Sequence, residues 1–187
     1  NKNYLIELDA KFGDGDLGIS MSNGFLAVYQ FLQEVEEDDM GYVLMKCASV
    51  LNKTSPSTLG TIISFGFMGA AKQCKGKKEL LLEDVCDAME HGLDKIMEKA
   101  QSKPGDKTII DALSPAITAL RENVEKGEAL AYKAAYEAAL QGAEDTIEMK
   151  SVHGRAAYYG DKVIGSIDGG AVVGKLIFES IYKYYNK

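Results

Sequence analysis

The sequence predicts an all-α protein, folded as a closed bundle of seven or eight helices. Apolar residues recur every three or four positions through nearly every segment, and no series of alternating apolar and polar residues would build the strands of a sheet. Clusters of Gly, Pro and acidic residues separate the segments. With 187 residues, 46% of them hydrophobic, the chain is expected to form one domain over 1–187.

Asn3 to Asp9 reads as a helix reaching Lys11, after which Gly13, Gly15 and Gly18 interrupt regular structure. A second helix is expected from about Met21, with Phe25, Val28, Tyr29 and Leu32 on one face, and the acidic stretch Glu34 to Asp39 as its solvated end. Val43, Leu44, Cys47, Ala48 and Leu51 form the next stripe. Lys53 to Thr58 carries the hydroxyl residues and proline of a helix start, continued by Leu59, Ile62, Ile63, Phe67 and Ala70. Gly66 and Gly69 in that run cost an isolated helix up to ~1 kcal/mol each, so close helix packing is their expected use. Beyond the basic turn Lys75 to Lys78, Val85, Met89, Leu93, Ile96 and Ala100 step along another helix, which Lys103-Pro104-Gly105-Asp106-Lys107 stops. Helices follow at Ile110 to Lys126 and Glu128 to Lys150, the second rich in alanine. Gly154 to Gly174 breaks regularity before a last helix containing Val173, Ile177 and Ile181.

A formal net charge of -7 opposes nucleic acid and anionic lipid, so a phosphate ligand has to be received through a local device. No apolar run reaches the length of a membrane span, and Asn1 to Asp9 lacks the apolar core of a signal peptide. Cys47, Cys74 and Cys86 lie singly in amphipathic segments, as buried free thiols of a cytoplasmic protein would.

The densest chemical signal is Asp9-Ala10-Lys11-Phe12-Gly13-Asp14-Gly15-Asp16-Leu17-Gly18. Asp14 and Asp16, two apart in an extended glycine-rich stretch, would point the same way, and Asp9 would join them from the end of the first helix. Three such carboxylates repel one another unless cations neutralise them, and hard oxygen donors suit Mg²⁺. The alternative is a solvated acidic turn in which Asp16 caps the next helix. Gly13, Gly15 and Gly18 formally match a dinucleotide-binding loop, yet two carboxylates inside it would oppose a pyrophosphate without metal. An EF-hand starting at Asp14 would have Phe25 in its twelfth position, and no Walker A sequence occurs.

Thr54, Ser55, Ser57 and Thr58 offer hydroxyls and free N–H groups at a helix start, an anion site or simply a cap. Arg155, one of two arginines, and the segment Gly165-Ser166-Ile167-Asp168-Gly169-Gly170 could approach a phosphate closely, or form an ordinary surface loop. His91 and His153 lack the neighbours of a zinc centre. Asp106 and Asp111 flank the Pro104-Gly105 break as caps, with Asp111 also placed to steady a site loop. Tyr182, Tyr184 and Tyr185 read as a terminal packing patch.

Taken together these segments resemble the nucleotide-binding L subunits of dihydroxyacetone kinases, which also occur as the C-terminal domain of single-chain kinases. The matching residues are Leu8-Asp9, Gly13-Asp14-Gly15-Asp16, Pro104-Gly105-Asp106-Lys107-Thr108 with Asp111-Ala112-Leu113, Gly154-Arg155-Ala156, Tyr159-Gly160, Ile164-Gly165, Asp168 and Gly170-Ala171. The resemblance implies a barrel of eight antiparallel helices with the nucleotide at one end. It implies Asp9, Asp14 and Asp16 as ligands of two Mg²⁺ ions on ADP, with Leu17, Thr54, Ser55, Ser57, Thr58, Gly105, Arg155, Asp168 and Gly170 around the nucleotide. The implied role is that of a phosphotransferase subunit. A phosphohistidine-carrying M subunit would rephosphorylate the bound ADP, and the product would phosphorylate dihydroxyacetone on a K subunit. A homodimer is left open, and neither nucleic acid nor membrane is an expected partner. The sequence departs from the pattern at Leu17, where histidine is usual, at Ser20, in the loop Asn52 to Ser57, and at Gly169. Two further readings follow: a diverged nucleotide-binding regulatory or docking protein, and a nucleotide domain excised from an ATP-dependent dihydroxyacetone kinase.

Overall fold

The computed structural model describes residues 1–186. They form eight α-helices, α1 (Lys2–Asp9), α2 (Leu17–Glu34), α3 (Met40–Thr54), α4 (Thr58–Gln73), α5 (Leu82–Ala100), α6 (Ile110–Glu122), α7 (Glu128–Asp145) and α8 (Gly169–Tyr185), with three 3-10 segments and no strand among the described residues. The all-helical expectation holds. The chain divides into two compact units, Asn1–Lys2 with Leu17–Gln101 and Asn3–Asp16 with the residues from Ser102 onward.

In the first unit α2 to α5 pack in chain order, and small residues set how closely they approach. A Cβ on Gly69 would lie 2.5 Å from the His91 carbonyl oxygen, and one on Gly66 would lie 2.9 Å from Ile96 Cδ1, so α4 and α5 run antiparallel at nearly backbone contact. This is the close packing that the two costly glycines predict. Asp39 caps α3 by accepting from Gly41 N at 2.8 Å and Tyr42 N at 3.2 Å, and its other oxygen accepts from Gly76 N at 3.1 Å. One carboxylate thus ties the start of α3 to the turn beyond α4. Leu51, Ile63, Cys47, Cys74, Cys86 and Ile96 are buried between the helices. None of the three cysteines is in a disulfide, and burial pushes Cys47 up to about 11, which keeps it unreactive.

In the second unit α7 packs between α6 and α8. Tyr132 stacks on Tyr185 and Tyr136 on Tyr182, at centroid distances of 4.5 and 5.2 Å, so α7 and α8 are antiparallel and the terminal tyrosines are packing residues. Near the start of α6 the approach to α7 is tightest, because Gly142 faces the backbone of Asp111. Residues 146–168, which link α7 to α8, contain the 3-10 segments Thr146–Glu148 and Arg155–Val163.

Several boundaries differ from expectation. α1 stops at Asp9 rather than Lys11, and α2 begins at Leu17 rather than near Met21, with Gly18 buried inside its first turn. α6 and α7 end at Glu122 and Asp145, and each passes into a 3-10 turn. α8 begins at Gly169, inside the stretch expected to be irregular, because Asp168 caps it by accepting from Ala171 N at 2.7 Å. Cap chemistry outweighs the low helix propensity of two glycines in a first turn.

Candidate metal centre

Asp9 is the last residue of α1, and the chain then turns sharply, with Gly13 N donating to the Asp9 carbonyl at 2.6 Å. Gly13 has no side chain to obstruct the Asp9 carboxylate: a Cβ there would fall 2.1 Å from Asp9 Oδ1. Gly15, at φ +73°, reverses the backbone between Asp14 and Asp16. The result is a cluster in which one carboxylate oxygen from each of Asp9, Asp14 and Asp16 lies within 4.8 Å of the others. Three hard carboxylate oxygens gathered this closely have the donor chemistry that Mg²⁺ takes.

The electrostatics match a site built for cations. Desolvation, followed by the charges of Asp14 and Asp9, raises the proton affinity of Asp16. Asp14 moves the other way because Arg155 forms an ion pair with it. Arg155 lies 141 residues beyond Asp14, so no sequence spacing could have announced the pair. Phe12 packs edge-on against Tyr159 at 5.2 Å, which brings the loop of Asp14 and the segment of Arg155 into a second contact.

The segment carrying Arg155 is held from beneath. Lys107, at φ +60°, is buried, and its Nζ donates to the carbonyls of Thr146 at 2.7 Å, Met149 at 3.1 Å, Val163 at 3.0 Å and Ser166 at 2.7 Å. Asp111, also buried, accepts from Gly105 N and Thr108 N, both at 2.6 Å, and so fastens the turn on which Lys107 sits. Asp111 therefore steadies a loop rather than capping its own helix. Asp106 accepts from Lys103 N at 2.9 Å and pairs with His153 Nε2 at 3.3 Å. Nothing in the periodicity singled out Lys107, because a lysine beside a turn ordinarily reads as solvated.

Asp168 does not meet the three aspartates: its carboxylate is spent on the α8 cap, and its N–H donates to Thr146 Oγ1 at 3.0 Å. Gly170 packs near Asp168 and the backbone of Ile109. Desolvation pushes the Asp168 carboxyl up to about 6, against the pull of the Ala171 N–H and of Lys107. With the folded value above the unfolded one of 3.8, folding takes up a proton between these limits. This group's contribution is therefore fully favourable below the window and is lost as pH rises through about 6. Asp168→Asn, which keeps a capping oxygen, is expected to remove that slope. Urea midpoints of variant and parent should agree near pH 4, and the variant should be the more stable near pH 7.

In the first unit the candidate hydroxyls form a cluster of their own. Ser55 is fully buried where Gly24 of α2 and Gly60 of α4 leave room: a Cβ on Gly60 would fall 2.2 Å from the Ser55 carbonyl oxygen. Its Oγ lies 2.5 Å from Ser20 Oγ, and Ser20 donates to Ser57 Oγ at 2.8 Å. Ser57 in turn caps α4 by accepting from Gly60 N at 3.1 Å. Thr54 closes α3, Thr58 opens α4, both are exposed, and Leu17 opens α2. The missed member is Ser20, which the departure at that position could have flagged. Ser57→Ala is expected to cost about 1 kcal/mol of unfolding free energy through loss of the cap, measured by urea denaturation.

The chain belongs to the DAK2 domain family, which it matches over residues 11–183. It is 32% identical over 170 residues to the ADP-binding subunit DhaL of the PEP-dependent dihydroxyacetone kinase of Escherichia coli (strain K12), covering 90% of this chain and 81% of that protein. It is 29% identical over 173 residues to the ADP-binding subunit DhaL of PEP-dependent dihydroxyacetone kinase 2 of Listeria innocua, with 91% and 80% covered. The crystal structure of the dihydroxyacetone kinase of C. freundii in its native form superposes with a TM-score of 0.77 at 24% identity, covering 98% of this chain and 31% of that one. The same kinase in complex with AMP-PNP and Mg²⁺ gives 0.75 at 25% identity, covering 98% and 30%. The chain thus spans about a third of the kinase whose structures it matches. No helix among the described residues is long and apolar enough to cross a membrane.

Proposed function

We propose that this chain, acting over 1–187 as a nucleotide-binding domain, is a cytoplasmic ADP-binding L subunit of a PEP-dependent dihydroxyacetone kinase. It would be a phosphotransferase active only with partner subunits. The observation that carries the reading is the convergence of Asp9, Asp14 and Asp16, whose oxygens lie within 4.8 Å of one another. The names of its relatives, ADP-binding subunits of such kinases, support it.

In this reading Asp9, Asp14 and Asp16 hold two Mg²⁺ ions on the ADP phosphates. When bound, the metals neutralise the phosphates and hold the transferred group in line between donor and acceptor. Arg155 already faces Asp14 and would present its planar fork of N–H donors to a phosphate oxygen. Ser57, with the N–H groups at the start of α4, is proposed as a phosphate donor, the buried Ser55 as the hydroxyl that backs it at 3.4 Å, and Leu17, Thr54, Thr58, Gly105, Asp168 and Gly170 as further lining. None of these residues needs to carry the phosphoryl group covalently, so the chain contributes position and charge. A phosphohistidine-carrying M subunit would supply the phosphoryl group, and a K subunit would present dihydroxyacetone.

The test is reconstitution. Purified protein, Mg²⁺, ADP, K and M partners and a PEP-driven phosphate source should yield dihydroxyacetone phosphate. No product from a protein that has ADP bound and competent partners would refute the transfer role.

A further inference from the structure

We infer that Lys107 is a positioning residue, whose ammonium group in a cage of four main-chain carbonyls holds residues 146–168 in the arrangement that sets Arg155 against the acidic cluster. This rests on the reading of that cluster as an Mg²⁺–ADP site. The cage has a particular composition. Thr146 and Met149 lie where the segment leaves α7, and Val163 and Ser166 lie where it returns toward α8, so one Nζ closes both ends of the span that carries Arg155. Four carbonyl oxygens that converge away from bulk water need a donor between them, and here the donor is an ammonium group covalently tethered to the turn before α6. Three ammonium protons serve four acceptors, so the two arms of the segment share one point charge in addition to the single backbone bond from Gly165 N to the Ile147 carbonyl.

Other contacts agree with this placement. Gly165 N donates to the Ile147 carbonyl at 2.8 Å and Val152 N to the Asp106 carbonyl at 3.2 Å, so the base of the segment is tied while Arg155 stands exposed above it. The tether is itself rigid: Asp111 accepts from the N–H groups on both sides of Lys107, at Gly105 and Thr108. Lys107 is too deeply buried to meet a ligand directly, so any effect on nucleotide has to pass through the segment. Asp168 and Glu148 supply the opposing charges nearest to it.

The experiment measures Mg²⁺–ADP affinity by calorimetry for the parent, Lys107→Gln, Arg155→Ala and the double variant, with circular dichroism to confirm folding. Glutamine retains two N–H donors for the cage. Lys107→Gln alone is expected to weaken Mg²⁺–ADP about 10-fold, and in the Arg155→Ala background to weaken it no further. Multiplying effects in the double variant would overturn the inference. A second readout needs no nucleotide. The chain has two arginines, Arg121 and Arg155, so the Arg155 Nε–H resonance should move toward the free-guanidinium position in Lys107→Gln, and an unmoved resonance would also overturn it. If Arg155→Ala leaves Mg²⁺–ADP affinity intact while that resonance still moves, the nucleotide reading of Arg155 fails and the positioning role stands. Should Lys107→Gln not fold, Lys107→Ala is measured with n-propylammonium, which refills the cage. Restored affinity supports the role, and a refolded protein with affinity unrestored refutes it.

Discussion

Asp14→Ala is expected to weaken Mg²⁺-dependent ADP retention by at least about 100-fold while leaving the helical fold intact. Asp14 is exposed at the tip of the loop between α1 and α2, so little packing depends on it. Its carboxylate nevertheless interacts with Asp16 and pairs with Arg155, so its removal takes one of the three proposed metal donors and the anchor of the arginine together. Calorimetry with and without EDTA isolates the metal-dependent part, and Arg155→Ala measured beside it isolates the arginine's: the parent should lose ADP when chelated, and Asp14→Ala should behave as the chelated parent does. Unchanged metal and ADP occupancy in Asp14→Ala would remove the basis for the assigned ligand set.

Gly142→Ala should lower stability by about 2–3 kcal/mol, seen as a shifted urea midpoint with unchanged slope. A methyl group there would lie 2.1 Å from the Asp111 carbonyl oxygen and 2.9 Å from Pro115 Cγ. The contact has a cause within α6. Pro115 has no N–H, so the Asp111 carbonyl lacks its usual donor one turn on, and the bare Cα of Gly142 packs against it. Neither side can yield cheaply, since the side chain of the same Asp111 fastens Gly105 and Thr108. Displacing the first turn of α6 would also move Lys107, so Mg²⁺–ADP affinity should fall along with stability. A variant as stable as its parent would mean that α6 and α7 can separate here without cost.

Much of this was readable along the chain where the signal is local. The helices follow from apolar spacing, and the carboxylate cluster from three aspartates within eight positions, interleaved with glycines. Gly66 and Gly69 announced a close helix contact because no other use offsets their propensity. The errors lie where a cap or a turn decides: α8 begins at Gly169 because Asp168 caps it, and α2 takes Gly18 into its first turn. Nothing local links His153 to Asp106, whose pairing spans 47 positions.

Local order thus sufficed for the helices, the buried cysteines and the acidic cluster, since each depends on neighbours within a turn or two of backbone. Folding in three dimensions alone decided which cation answers Asp14, which hydroxyl completes the cluster around Ser55, and why Lys107 is buried. Those pairings join residues tens of positions apart through burial and close packing, and neither carries a period that a one-dimensional pattern could record.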